Sequence, residues 1–135
     1  MPRPTTDHPT PGELDVLKVL WDRGPATVRE VMEVLNRERE RAYTSVMSLM
    51  NVMTDKGLLR REPQGRAFIY HAAAEREATL GQAVGDLLGR VFEGSASSLV
   101  AHLLEQSQVS DAELDAIRRA IGEYQSQQPP PENPA

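Results

Sequence analysis

The stretch Tyr43-Thr44-Ser45-Val46-Met47-Ser48-Leu49-Met50-Asn51-Val52-Met53, read together with the run from Leu58 to His71, decides the fold. Val46, Leu49, Met50 and Met53 recur at the three-and-four spacing that places residues on one side of a helix. The opposite side carries Thr44, Ser45, Met47, Ser48 and Asn51. These short groups let a helix sit close to base edges and can donate, accept or touch a thymine methyl. Gly57 suits the C′ position that ends such a helix. Beyond it, Leu58 to Glu62 and Arg66 to Ala72 read as two strands around the turn-forming cluster Pro63-Gln64-Gly65, with Phe68 and Tyr70 on one face of the second strand. Arg66 falls at or near the tip, within reach of a phosphate or a minor groove. A helix with a small polar face leading into a hairpin with a basic tip is the pairing by which a winged helix reads DNA.

Taken alone, that segment is equally compatible with an ordinary solvated helix followed by an ordinary hairpin, and the preceding residues tip the balance. Thr10-Pro11-Gly12-Glu13 and Thr27-Val28-Arg29-Glu30 are both T-x-x-E capping boxes, the first with proline at N1, so each marks a helix start. Leu14, Leu17, Leu20 and Trp21 make the apolar face of the first helix. Val28, Val31, Met32 and Leu35 make that of the second, after the break at Gly24-Pro25. Three helices and a hairpin in that order predict a winged helix-turn-helix over residues 10–73, with the second helix across the DNA backbone and the third in the major groove.

The chain carries a net charge of −5, unexpected for a DNA binder until it is divided. Residues 1–72 hold 11 Lys/Arg and 10 Asp/Glu, net +1, whereas residues 73–135 hold 4 and 10, net −6. Arg37, Arg39, Arg41, Lys56, Arg60, Arg61 and Arg66 flank the third helix and wing, but Glu38, Glu40, Asp55 and Glu62 interleave with them. Only some of these cations are expected to reach phosphate, so affinity should be modest and strongly dependent on dimer formation. The DNA-contacting residues expected are Arg41, Tyr43, Thr44, Ser45, Met47, Ser48, Asn51, Arg60 and Arg66.

The second half reads as helical throughout. A fourth helix, Glu75 to Phe92, places Leu80, Val84, Leu87, Leu88 and Val91 on one side, and beside them Gly81, Gly85 and Gly89 recur every four residues. Glycine inside a helix costs about 1 kcal/mol relative to alanine, so the stripe suggests close packing against a neighbour. A fifth helix, Ser95 to Gln106, offers Leu99, Val100, Leu103 and Leu104; a sixth, opened by a third capping box at Ser110-Asp111-Ala112-Glu113, offers Leu114, Ile117 and Ile121. Three short amphipathic helices are too small to close a core alone. Residues 74–124 are therefore expected to form a dimerisation region through Leu80, Val84, Leu88, Val91, Leu99, Val100, Leu103, Leu104, Leu114, Ile117 and Ile121. Packing of these helices back onto the winged helix as one monomeric domain is the alternative. Residues 1–9 and the Gln/Pro-rich 125–135 are expected to be disordered.

Val19-Leu20-Trp21, Ala42 through Ser48, Lys56-Gly57-Leu58, Phe68-Ile69-Tyr70, Phe92 through Ser95, Ser98-Leu99-Val100 and Ser110 through Leu114, in this order and spacing, resemble the penicillinase-repressor family of winged-helix regulators, the BlaI/MecI type. The resemblance runs from about Glu13 to Tyr124. It implies a homodimeric repressor on double-stranded DNA, at an inverted-repeat operator with TACA/TGTA-like half-sites. In antibiotic-responsive members a membrane sensor protease triggers cleavage in the helix that here contains Ser98-Leu99-Val100. The family's asparagine–phenylalanine bond aligns with His102-Leu103, so this chain departs from the pattern at the cleavage position. Copper-responsive relatives carry a cysteine-rich C-terminus, and this chain has no cysteine. Met47 and Thr44 stand where some members place Arg or Lys, which shifts base reading toward thymine methyl and hydroxyl contacts.

The absence of cysteine excludes disulfides and thiolate metal sites. No run of about 18 apolar residues and no signal-peptide pattern is visible, so a cytoplasmic chain without membrane insertion is expected. His8, His71 and His102 share no ligand spacing, and the pairs Glu38/Glu40 and Asp111/Glu113 resemble connector and helix-start acids. No metal, no cofactor and no enzymatic activity are expected. The rival reading is a winged helix used as a protein-interaction or assembly module without a specific DNA target.

Overall fold

The computed structural model describes residues 9–128; the end segments 1–8 and 129–135, read above as disordered, lie outside the described residues. The elements run α1 (Pro11–Arg23), α2 (Val28–Leu35), α3 (Tyr43–Asp55), β1 (Leu59–Gln64), β2 (Ala67–Ala72), α4 (Arg76–Arg90), α5 (Ala96–Gln106) and α6 (Asp111–Gln127). The chain divides after Val91 into two compact units. In the first, three helices and an antiparallel hairpin form a winged helix.

Both N-terminal capping boxes close reciprocally. Thr10 Oγ1 accepts from Glu13 N–H at 3.2 Å while Glu13 Oε1 accepts from Thr10 N–H at 2.9 Å, and Thr27 and Glu30 repeat the pattern at 3.2 and 2.9 Å. At α6 Ser110 accepts from Glu113 N–H at 3.1 Å, the forward half of the box. The end of α3 is a full Schellman motif: Leu58 N–H donates to Met53 O (2.9 Å), Gly57 N–H donates to Thr54 O (3.1 Å), and Gly57 takes the required positive φ of 84°.

Val16, Leu17, Val19 and Leu20 of α1, Val28, Val31 and Leu35 of α2, Val46, Met50 and Met53 of α3, and Ala26, Leu59 and Tyr70 make the buried core. The face of α1 differs from the expected one, because the helix is sandwiched by α2, α3 and β2 and so buries a broader arc: Val16 and Val19 are interior, whereas Leu14 and Trp21 are half-buried. Trp21 still anchors the chain beyond the wing, its Nε1–H donating to Ala74 O at 3.0 Å.

The hairpin turn is tighter than expected. Gln64 pairs with Ala67, leaving Gly65 and Arg66 as the turn, with Gly65 at φ 60°. Pro63 therefore lies inside β1, opposite Phe68. It is tolerated because it shares the phase of Arg61, whose partner Tyr70 turns its own backbone outward: Tyr70 N–H donates to Ala26 O (2.8 Å) and Ala26 N–H to Tyr70 O (3.1 Å). In that phase β1 residues do not donate across the ladder, so the missing proline N–H costs nothing there.

Three helix limits also shift. α3 continues to Asp55; α4 runs only to Arg90, with Glu75 and Val91 as caps; and α6 extends through Gln127, so residues 125–127, expected to belong to a disordered tail, are helical beyond the last apolar residue of the helix, Tyr124. A Cβ on Gly81, Gly85 or Gly89 would meet no atom within 4 Å among the described residues, so the close packing expected of that stripe is not made by them. α5 and α6 contain no buried residue.

Among the described residues Glu13 and Thr79 are the buried polar side chains, and Glu13 is the charged one. Glu13 is 1% exposed and receives Lys56 Nζ at 2.9 and 3.1 Å, tying the start of α1 to the C-cap of α3. Burial pushes its carboxyl upward, but the Thr10 backbone N–H and the Lys56 ammonium outweigh that and hold the pKa below the ordinary glutamate value. A carboxyl lowered in the folded state stabilises fully above its unfolded pKa, about 4.3, and loses that contribution as pH falls through the folded value. Glu13→Ala is expected to lower the unfolding free energy by about 2 kcal/mol, because it strands Lys56 and removes the cap. Urea titrations between about pH 5 and pH 3 should show a shallower acid decline for Glu13→Gln than for wild type. An equal decline in both would take the acid sensitivity away from this pair.

Candidate nucleic-acid interface

α3 turns Val46, Met50 and Met53 inward, which leaves Thr44, Ser45 and Ser48 exposed on the opposite side. Leu49, placed with the apolar stripe, is half-buried against the core. Met47, placed with the outward face, is also half-buried and packs against the core while bordering a cleft.

That cleft, about 460 Å³, lies between the N-terminus of α2, α3 and the wing. Arg29 comes from α2, Tyr43, Met47 and Asn51 from α3, and Arg61, Arg66 and Phe68 from the hairpin. Three arginines from two elements thus border one cleft whose lining contains no carboxylate. Their aromatic neighbours hold two of them: the Arg61 guanidinium lies 4.4 Å from the centre of the Phe68 ring, and that of Arg29 lies 5.9 Å from the centre of Tyr43. Glu30, the nearest acid in sequence to Arg29, is already engaged by Arg23 at 2.8 Å. Its pKa is held low by the Thr27 backbone N–H first and by Arg23 second.

A second cleft of about 470 Å³ between α1 and α2 has the opposite character. Asp15, Asp22 and Glu38 alternate there with Lys18, Arg23, Arg37 and Arg41, and Lys18–Asp22 (2.9 Å) and Arg41–Asp15 (3.7 Å) are paired.

Of the residues expected to contact DNA, Tyr43, Met47, Asn51 and Arg66 meet at the first cleft. Thr44, Ser45 and Ser48 are exposed along the same helix. Arg60 is exposed on the hairpin in register with His71, the phase opposite to Arg61. Arg41 is elsewhere: its Nη1 donates to Leu35 O at 2.7 Å and to Arg39 O at 3.1 Å, so it caps the end of α2 beside Asp15.

Arg29, Arg61 and Phe68 were missing from the expected set. Arg61 is placed by the observed register, which pairs it with Tyr70 and so puts it on the face of Phe68; the three-residue turn expected from the sequence pairs it with Ala67, on the other face. Arg29 carries a subtler signal. A cation in the first turn of a helix opposes the macrodipole, a placement that local stability does not favour.

The helices, hairpin and basic cleft define a winged-helix protein. The chain belongs to the penicillinase repressor family, whose model matches residues 9–123. It is 33% identical over 119 residues to the transcriptional regulator BlaI of Mycobacterium tuberculosis, covering 85% of each chain. It is 24% identical over 114 residues to the penicillinase repressor of Bacillus licheniformis, covering 84% of this chain and 89% of that one. Among solved structures, the DNA-binding domain of the repressor BlaI matches 50% of this chain and 83% of its own, at 24% identity and a TM-score of 0.47.

Proposed function

We propose that this chain is a transcriptional repressor that binds a dyad operator as a homodimer, with α3 in the major groove and the wing along the adjacent backbone. The observation that carries the reading is the cleft bordered by Arg29, Arg61 and Arg66 with no carboxylate, beside the exposed hydroxyls of α3. Unneutralised guanidinium groups beside a small polar helix face suit phosphates flanking a major groove. Family membership supports the same reading.

Dimerisation is supported by apolar side chains left uncovered in α4 and its C-cap, α5 and α6: Val84 is 54% exposed, Val91 63%, Leu103 52% and Ile121 53%. A second copy presenting the same faces would cover them, and a two-fold axis would set half-sites about one helical turn, roughly 10 base pairs, apart or a multiple of it. A sensor protease acting at His102-Leu103 would meet a bond inside α5, where His102 Nδ1 lies 3.0 Å from Ser98 O and its ring packs edge-on against Phe92 at 5.2 Å. Because α5 buries no residue within the chain, local unwinding there is inexpensive where a second copy does not cover it.

A salt-titrated band shift on the chain's own upstream region and on a scrambled fragment tests the reading. Tight, salt-sensitive binding that prefers the upstream region is expected; equal and weak binding to both fragments would favour a protein-interaction module instead. Arg66→Ala should weaken binding about three- to tenfold on every sequence and lower the slope of log affinity against log salt by about 1, whereas Ser48→Ala should alter base preference. Leu103→Asp or Ile117→Asp should convert a dimer to a monomer in light scattering, with helicity retained because neither residue is buried within the chain. An unchanged dimer in both variants would remove α5 and α6 from the interface.

A further inference from the structure

Asn51 Oδ1 accepts two hydrogen bonds, from Arg61 Nη1 at 3.0 Å and from the Tyr70 hydroxyl at 3.1 Å. A guanidinium group has donors only, so the amide atom facing Arg61 must be the oxygen, and chemistry fixes the amide orientation. The Tyr70 hydroxyl then donates to the same oxygen. Tyr70 is 2% exposed and hydrogen-bonded through its backbone to Ala26, so this anchor is rigid. Arg61 is held in turn over the Phe68 ring. Among the described residues no acceptor takes the Asn51 Nδ2 hydrogens, and Asn51 borders the basic cleft.

We propose that Asn51 is a specificity-determining residue held with its donor outward, and that the same three side chains latch the wing to the recognition helix. An asparagine reads adenine with two bonds, its oxygen accepting from N6–H and its amide donating to N7. Here the oxygen is occupied within the protein, which leaves only N–H groups for the DNA. Such a donor selects the adjacent acceptors O6 and N7 of guanine and forfeits the two-bond contact with adenine. The inference rests on the DNA reading proposed above and deepens it, because sequence alone placed Asn51 on the reading face without fixing which of its polar atoms is free.

The test uses the full chain and two variants, Asn51→Ala and Tyr70→Phe. An operator is selected from randomised duplexes, and affinity is measured for every single-base change. Wild type should prefer guanine over adenine at one position in each half-site, and Asn51→Ala should lose that preference by about fivefold. Tyr70→Phe removes one anchor at a residue that is 2% exposed, and should raise adenine binding severalfold at that position alone. A purely structural role for the hydroxyl would instead lower binding to all sequences together. In the free protein, both variants should speed amide exchange of wing residues 60–69 severalfold. A wild-type preference for adenine at the affected position, or a uniform loss in Asn51→Ala across all bases, would overturn the donor-outward assignment. Unchanged wing exchange in both variants would overturn the latch. Should wild type select no sequence at all, the DNA reading and the base assignment fall together, while exchange still decides the latch.

Discussion

Tyr70 is the residue on which the geometry of the interface depends. Its side chain is almost wholly buried, its backbone bonds Ala26 in both directions, its register partner is Arg61, and its hydroxyl reaches Asn51. A two-stranded hairpin is marginal on its own in water. Here the second strand is fastened to the link between α1 and α2 on one side and to α3 on the other. The hairpin is thereby carried by the same core that sets α3. Glu13 and Lys56 do a similar job at the other end of α3, joining its C-cap to the start of α1. A helix fixed at its end and beside its wing can present a polar face without losing register.

Electrostatics distinguishes the two clefts more sharply than size does. Both are close to 460–470 Å³, yet one mixes acids with bases and the other presents arginines alone. Where acid and base already pair, an incoming anion must displace a partner, and exposed pairs of that kind contribute little to stability. Where guanidinium groups sit over aromatic rings instead, they keep their charge available while losing conformational freedom. A net charge of −5 for the chain is therefore no obstacle to an anionic ligand, since the field that matters is that of one cleft.

The features legible in the sequence were those set by neighbours a few residues apart. Both threonine capping boxes, the glycine after α3 and the inward stripe Val46, Met50 and Met53 are local patterns with local causes. The features that escaped depend on contacts between distant segments. Pro63 looked like a turn residue because proline usually is one; only the pairing phase shows that its missing N–H is harmless. Arg41 looked like a phosphate ligand because it sits among cations, but Leu35 O and Asp15 lie within its reach. Glu13 was recognised as half of a capping box, and its burial against Lys56, 43 residues away, has no local signature. Arg29 is recoverable in principle by its conflict with a helix dipole, whereas Arg61 is not, because the three-residue turn expected from the sequence pairs it with Ala67 and turns it to the other face.

The last three helices pose an energetic problem that their pattern anticipates. Ordering a residue costs about 1–2 kcal/mol of backbone entropy, and burial of apolar surface is the main term that offsets it. α5 and α6 contain no buried residue, and their leucines and isoleucines stand at the surface in helical stripes. Capping by Ser95 and Ser110 contributes about 1 kcal/mol per helix, far short of the ordering cost. The glycines of α4 add to the deficit, because a helix with Gly81, Gly85 and Gly89 is weaker than one with alanine and gains no close neighbour among the described residues. Helices of this kind are stable when a surface covers them. If that surface is a second copy, folding of this half and assembly are one equilibrium, and protein concentration sets both together. Operator binding would then draw on the same equilibrium, since a dyad engages two recognition helices only when the pair is joined.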